Sequence, residues 1–309
     1  MNENVNNSIV ELDDNLINEI ISDNLNIDAQ SLVTENNNEI SDNSPLTAEE
    51  QSILDKVIEE EHKEIPLNSD TLLIDEATSR FSSAIWYKNI QSKVITIAGI
   101  GGIGSFVVFL LSRLKPNALY IYDNDIVETV NMSGQLYSIR DININKVTAI
   151  AETVRIYSDF NNVFSIPEKF DENSQASDIM ICGFDNMKAR QNFFNKWRQH
   201  VLNKPEGTKN ECLFIDGRLA AQEFQIFCIK GDDTYNIIKY QKEYLFSDHL
   251  AEETVCSFKQ TTFCANMIAS YMVNMFVNFC ANQCNPIIDM ELSFFTYYNS
   301  ENMLLKIEN

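Results

Sequence analysis

Glycine is scarce in this chain and sharply placed. Of nine glycines in 309 residues, four stand within six positions: Gly99, Gly101, Gly102 and Gly104. They spell GIGGIG, which fits the pattern G-x-G-x-x-G. The apolar run Val94–Ala98 precedes them, and a helix-period segment over 103–114 follows. In that setting the glycines permit a tight turn and let backbone approach a phosphate closely. The helix that begins there turns free N–H groups and a partial positive charge toward an anion. A nucleotide site is the expectation. Asp123 lies 19 positions past Gly104, at the end of a second apolar run, where a carboxylate meets ribose hydroxyls. That fits NAD and the ribose of ATP equally, and the loop alone does not separate them.

The rest of the pattern fixes the fold class. Strands are expected at 94–98, 118–122, 163–166, 178–182, 213–216 and 224–229, with helices at 103–114, 146–158, 186–201 and 262–281 between or after them. Strands alternating with helices predict an α/β, Rossmann-like fold with a mainly parallel sheet covered on both faces. Two final strands, around 287–298 and 303–307, predict an antiparallel extension. A long polar connection over 231–256 leads into the last helix.

Charge excludes some partners. The formal net charge is −22, and residues 1–70 hold 18 acids against two lysines. So acidic a surface repels phosphate backbones and anionic membranes, so neither duplex nucleic acid nor membrane is an expected partner. The apolar stretch 94–111 is interrupted by glycines, and 264–280 carries Asn266, Asn274 and Asn278, which are costly in lipid. Both read as core, and with no signal-peptide pattern a cytoplasmic location is expected. Residues 1–46 contain no Lys or Arg and read as a disordered acidic tail. Thr47-Ala-Glu-Glu50 forms a capping box for a helix near 48–63 within a 47–71 linker, and the globular domain spans 72–309.

The segment after the second strand is the most specific part of the chain. YDNDIVETVNMSGQLYSIRDININK holds Asp123, Asp125, Asn131, Gln135 and Lys146, and Asp185-Asn186 with Arg190 follows a later strand. This series, with GIGGIGS before it, resembles the ThiF–MoeB–HesA family of the ubiquitin-activating superfamily over residues 80–281. The resemblance implies ATP-dependent adenylylation of a carboxylate, usually the C-terminus of a ubiquitin-like or other small carrier protein, by a homodimer. It further implies Asp123 at the ATP ribose, Asn131, Gln135 and Lys146 at the phosphates, and Asp185 at Mg²⁺. The chemistry is consistent, because a carboxylate attacking a phosphate is anion meeting anion and needs Lys, metal and helix-end N–H groups.

Two departures stand out. The family's Arg-Gln pair reads Gly134-Gln135, and its leading R-Y-S-R-Q reads Arg80-Phe81-Ser82-Ser83-Ala84. Arg80 is retained and is the candidate replacement cation, with Arg190 and Arg218 as further ones. A fold that has lost turnover and serves as a scaffold is the alternative reading. Cysteines add one candidate. No C-x-x-C pairs are present, so no structural zinc is expected. Cys182, Cys212, Cys228 and Cys264 fall in core segments. Cys256, in TVCSFKQTT just before the last helix, stands where the family carries a cysteine that accepts the acyl group; a thiolate there suits displacement of AMP.

Overall fold

The computed structural model describes residues 76–247 and 260–308. The acidic tail, the helix expected near 48–63 and Cys256 lie outside the described residues. Eight strands form one sheet in the order β3-β2-β1-β4-β5-β6-β7-β8. They are β1 (Val94–Ala98), β2 (Ala118–Tyr122), β3 (Val163–Ile166), β4 (Ile179–Cys182), β5 (Leu213–Ala220), β6 (Glu223–Lys230), β7 (Phe295–Asn299) and β8 (Leu304–Glu308). Strands β1 to β5 pair in parallel, and β5 to β8 pair antiparallel. The expected mainly parallel sheet with an antiparallel extension is what forms.

The central strands VITIA and IMIC are nearly all buried, as strands covered on both faces must be. One face carries α2 (Gly102–Leu114), α3 (Lys146–Ser158) and α6 (Thr262–Asn282), with the short α1 (Tyr87–Gln91) against α2 and α6. Val107, Ile150, Ile268 and Phe276 are wholly buried in that layer. The other face carries α4 (Met187–Leu202), which packs Phe193, Phe194 and Trp197 on the sheet. Local chemistry sets the ends. Asn186 caps α4 by accepting from the Ala189 N–H at 2.9 Å, and α2 stops at Lys115 in a left-handed conformation just before Pro116.

Helix α6 is long and apolar enough to cross a membrane by length and composition, but it packs here against α2, β5 and β6. Its asparagines have a local use. Asn278 Nδ2 donates to the Glu291 carbonyl, and the Asn282 side chain both donates to and accepts from Met290 backbone. These bonds satisfy backbone that a strand partner would otherwise serve. They explain why the expected strand over 287–298 is correct only from Phe295 onward. A second correction falls at 231–256, read as a plain polar connection. Asp233 caps a helix, α5 (Thr234–Lys239), which continues as one π turn, Tyr240–Tyr244. Ile237 and Tyr240 at i and i+3 are buried in the second core layer. The hidden apolar spacing outweighed the polar composition.

Candidate functional site

Strand order places β2 and β4 on either side of β1, so chain connections leave β1 in one direction and return from the other. Crevices at such switch points, outside the carboxyl ends of the strands, are where open α/β sheets bind ligands. Six of the nine glycines gather here: Gly99, Gly101, Gly102 and Gly104, Gly134, and Gly183 after β4. Gly99 has φ of +82°, and a Cβ on it would come within 2.6 Å of the Gly183 carbonyl carbon. The loops after β1 and β4 therefore touch backbone to backbone, also through the Gly183 N–H donating to Ala98 O at 2.8 Å. A Cβ on Gly104 would collide with the Gly99 carbonyl, which is how α2 begins so close to its strand.

Asp123 ends β2 and faces that loop. Its Oδ2 accepts from the Ile100 N–H at 2.7 Å, and its Oδ1 from the Asp125 N–H at 2.8 Å. Burial raises its carboxyl above the ordinary range, against these two N–H groups and the Lys146 charge. Lys146, the first residue of α3, is nine-tenths buried and reaches Asp125 Oδ2 at 2.9 Å. Its own N–H donates to the Asp125 carbonyl. Asn131 sits in the 3-10 turn Thr129–Ser133, where its Oδ1 accepts from Glu128 N at 2.8 Å. That bond shapes the turn which delivers Gly134 and Gln135. Gln135 then lies beside Gly101, with its Oε1 buried and unpartnered among the described residues.

Asp185 follows β4 and is exposed, touched by its neighbour Asn186 at 3.2 Å. The glycine loop, Asp123, Asp125, Gln135, Lys146 and the Gly183–Asp185 loop thus share one sheet edge. Arg80 is exposed beside Phe81, whose ring meets Trp86 and Tyr87. Among the described residues no bond joins it to the glycine loop. Arg190 and Arg218, also considered as replacement cations, are both committed to Asp216: Arg190 Nη1 donates to its Oδ1 and Arg218 Nε to its Oδ2. Neither is free for a phosphate.

Sequence reasoning missed several groups here. Tyr137 donates its hydroxyl to the Ile100 carbonyl at 2.5 Å and clasps the loop from below; burial pushes that phenol well above its usual range. Ser105 accepts from the Leu136 N–H at 3.0 Å, tying α2 to the same segment. The Gln260 side chain, just before α6, packs over Gly102 and Gly134, and the Oγ1 of the next residue, Thr261, is buried with no hydrogen-bond partner among the described residues. GIGGIGS contained the signal for Ser105. Nothing local marks the others, because only the fold brings them to the loop.

An anion site fits what is present. A helix N-terminus, a glycine cradle and a lysine face one crevice, and two buried oxygens, Gln135 Oε1 and Thr261 Oγ1, have no hydrogen-bond partner among the described residues. Buried polar groups of this kind call for a ligand or water.

The fold is Rossmann-like, with the crevice at the switch point of its parallel strands. Residues 74–196 match the model of the ThiF family. Ubiquitin-like modifier-activating enzyme 5 of Culex quinquefasciatus is 29% identical over 34% of this chain and 30% of that protein. The Drosophila persimilis enzyme of the same name is 27% identical over 47% and 42%. The chain thus spans about a third of the length of the curated relatives it matches. Two solved structures share the fold: selenomethionine PaaA (14% identical, TM-score 0.58, 97% of this chain and 87% of that one) and E. coli MccB with ATP (16%, 0.56, 86% and 80%).

Proposed function

We propose that the protein is an ATP-dependent adenylyltransferase that activates a carboxylate, with the C-terminus of a ubiquitin-like or other small carrier protein as its substrate. The observation that carries this reading is the crevice itself: Asp123 fixed by two backbone N–H groups beside the glycine loop, with Gln135 Oε1, unpartnered among the described residues, next to Gly101. In this reading the Asp123 carboxylate accepts from the ribose, and the α2 N-terminus and Lys146 face the phosphates. Asp185 would hold Mg²⁺, which supplies charge neutralisation at the phosphates. Lys146 is held ready by Asp125, whose exposed carboxylate gives up little on exchanging that partner for phosphate.

In the reaction a carboxylate oxygen attacks the α-phosphorus. The new acyl–oxygen–phosphorus link forms as the bond to the β-phosphate oxygen breaks, and pyrophosphate leaves with that electron pair. Transfer to the Cys256 thiolate, expelling AMP, is the proposed second step. A homodimer in the cytoplasm is part of the same reading, with Arg80 as the group that would complete the site.

One observation favours a second reading, a nucleotide-binding scaffold without turnover. Gly134 and Ser83 stand where the family pattern has arginines, and Arg190 and Arg218 are bound to Asp216. Thermal unfolding with Mg–ATP, and separately with NAD, tests the common ground. Ligand at 100 times its Kd stabilises by about 2.7 kcal/mol, which is several degrees here. An ATP-specific shift with ATP–pyrophosphate exchange that is lost in Asp185→Ala supports the enzyme. An ATP shift with no exchange toward any offered C-terminus supports the scaffold, and a preference for NAD overturns both.

A further inference from the structure

The space beside Gly134 is filled by another side chain, that of Gln260. Gln260 is held by its backbone, through an isolated parallel bridge to Ala221, the residue after β5. Two residues on, Thr262 Oγ1 donates to the Ser133 carbonyl at 2.5 Å. Anchored so, the Gln260 side chain runs between Gly102, the first residue of α2, and Gly134. A Cβ on Gly134 would come within 2.6 Å of its Nε2 and 2.8 Å of its Cγ, and a Cβ on Gly102 would press closer still on Oε1. A side chain at 134 therefore requires the Gln260 side chain to leave this position.

The amide also has unused capacity at the right place. Gln260 is half-buried, and among the described residues its side-chain amide has no hydrogen-bond partner. It lies at the N-terminus of a 13-residue helix, where an anion is favoured. The two unpartnered buried oxygens of the crevice belong to the next residue along, Thr261, and to the residue after Gly134.

We infer that Gln260 is a nucleotide-contacting residue, its amide N–H donating to the phosphates from the position that Gly134 leaves open. The inference rests on the ATP-binding reading above and deepens it: this chain exchanges a cation for a neutral donor carried on a different segment. A neutral donor contributes no long-range Coulomb attraction, so phosphate recognition falls more heavily on Lys146 and the helix end.

The test is ATP affinity of the full chain by calorimetric titration, beside the melting temperature of each ligand-free protein. Gln260→Leu keeps the bulk between the two glycines and removes the amide. It is expected to weaken ATP about tenfold or more while melting as the wild type does. Gln260→Glu, which sets a carboxylate against phosphate, weakens ATP further. Gly134→Arg alone loses ATP through collision with Gln260, and Gly134→Arg with Gln260→Ala regains it with a steeper dependence on salt. Wild-type affinity in Gln260→Leu makes the side chain a spacer and overturns the inference while leaving the ATP reading intact. Absence of ATP binding in the wild type removes that reading and the inference together.

Discussion

Two aspartates at the carboxyl side of this sheet meet opposite fates. Asp216, in β5, has no exposed side-chain surface and is bound on all sides. Arg190 and Arg218 each take one oxygen, and the Tyr240 hydroxyl donates to Oδ2 at 2.8 Å. The arginines are held in turn, Arg190 by the Phe184 and Gly217 carbonyls and Arg218 by the Tyr244 carbonyl and the Phe227 ring at 4.6 Å. Asp123, at the end of β2, is held by two backbone N–H groups, and Gln135 Oε1 by Gly101 is buried with no partner among the described residues. The first cluster is closed by its own chain and fixes architecture, joining β4, β5 and the π turn. The second is left open and presents donors and acceptors. Charge alone does not mark a functional site; unspent hydrogen-bonding capacity does.

The largest expected effect breaks the closed side. Asp216→Ala leaves two guanidinium groups buried against each other, which costs about 3–5 kcal/mol. At roughly 2–4 °C per kcal/mol the melting temperature falls by about 6–20 °C, and Mg–ATP raises wild type and variant alike, leaving that gap in place. A drop of only a degree or two would mean that water enters the cluster and that it is no keystone.

The open side should respond in the reverse way. Lys146→Met frees an Asp125 that is already more than half exposed, so stability changes by about 1 kcal/mol or less. ATP affinity should fall roughly ten- to hundredfold, the size of a lost charge-assisted hydrogen bond, in the same titration. Asp123→Ala sharpens the contrast. It removes two N–H partners but also relieves a buried carboxylate, so melting moves by no more than about 1–2 kcal/mol while the ATP shift disappears. Equal losses of stability from Lys146→Met and Asp216→Ala would erase the distinction between the two clusters.

Much of the open side was legible in the sequence because it is local. The loop glycines follow a short apolar strand, Asp123 and Lys146 flank predicted elements, and the strand bounds 94–98, 118–122 and 163–166 match those observed. The closed side was not legible. Arg190 and Arg218 looked like spare cations because Asp216 reads as an ordinary strand residue, and Tyr240 sat in a segment whose composition is polar. Gln260 was invisible for the same reason: its partners Gly102 and Gly134 are more than a hundred residues away. A departure such as Gly134 signals a loss in sequence, and only packing shows what moved into the space.

A smaller effect separates the two ends of the sheet by pH. At the amino end, Asp178 accepts from His200 Nε2 and Lys204 Nζ, both at 2.7 Å, with the Cys212 thiol 3.8 Å away. Burial alone would raise its carboxyl, but the hydrogen bonds from His200 and Lys204 outweigh it and hold the pKa at about 2. Because that lies below the value near 4 of an unfolded chain, Asp178 stabilises the fold above about pH 4. The contribution fades as pH falls toward 2. Asp123 has the opposite sign: its raised carboxyl favours the fold while protonated, and that benefit is lost as pH rises through its folded value. The ligand-free crevice therefore carries an electrostatic cost at neutral pH that the other end does not. Asp178→Asn should melt lower than the wild type at pH 7, by a margin kept small by the side chain's partial exposure, and the two curves should converge as pH approaches 2. A gap that persists unchanged to pH 2 would assign the effect to packing around Cys212 and not to the carboxylate's charge.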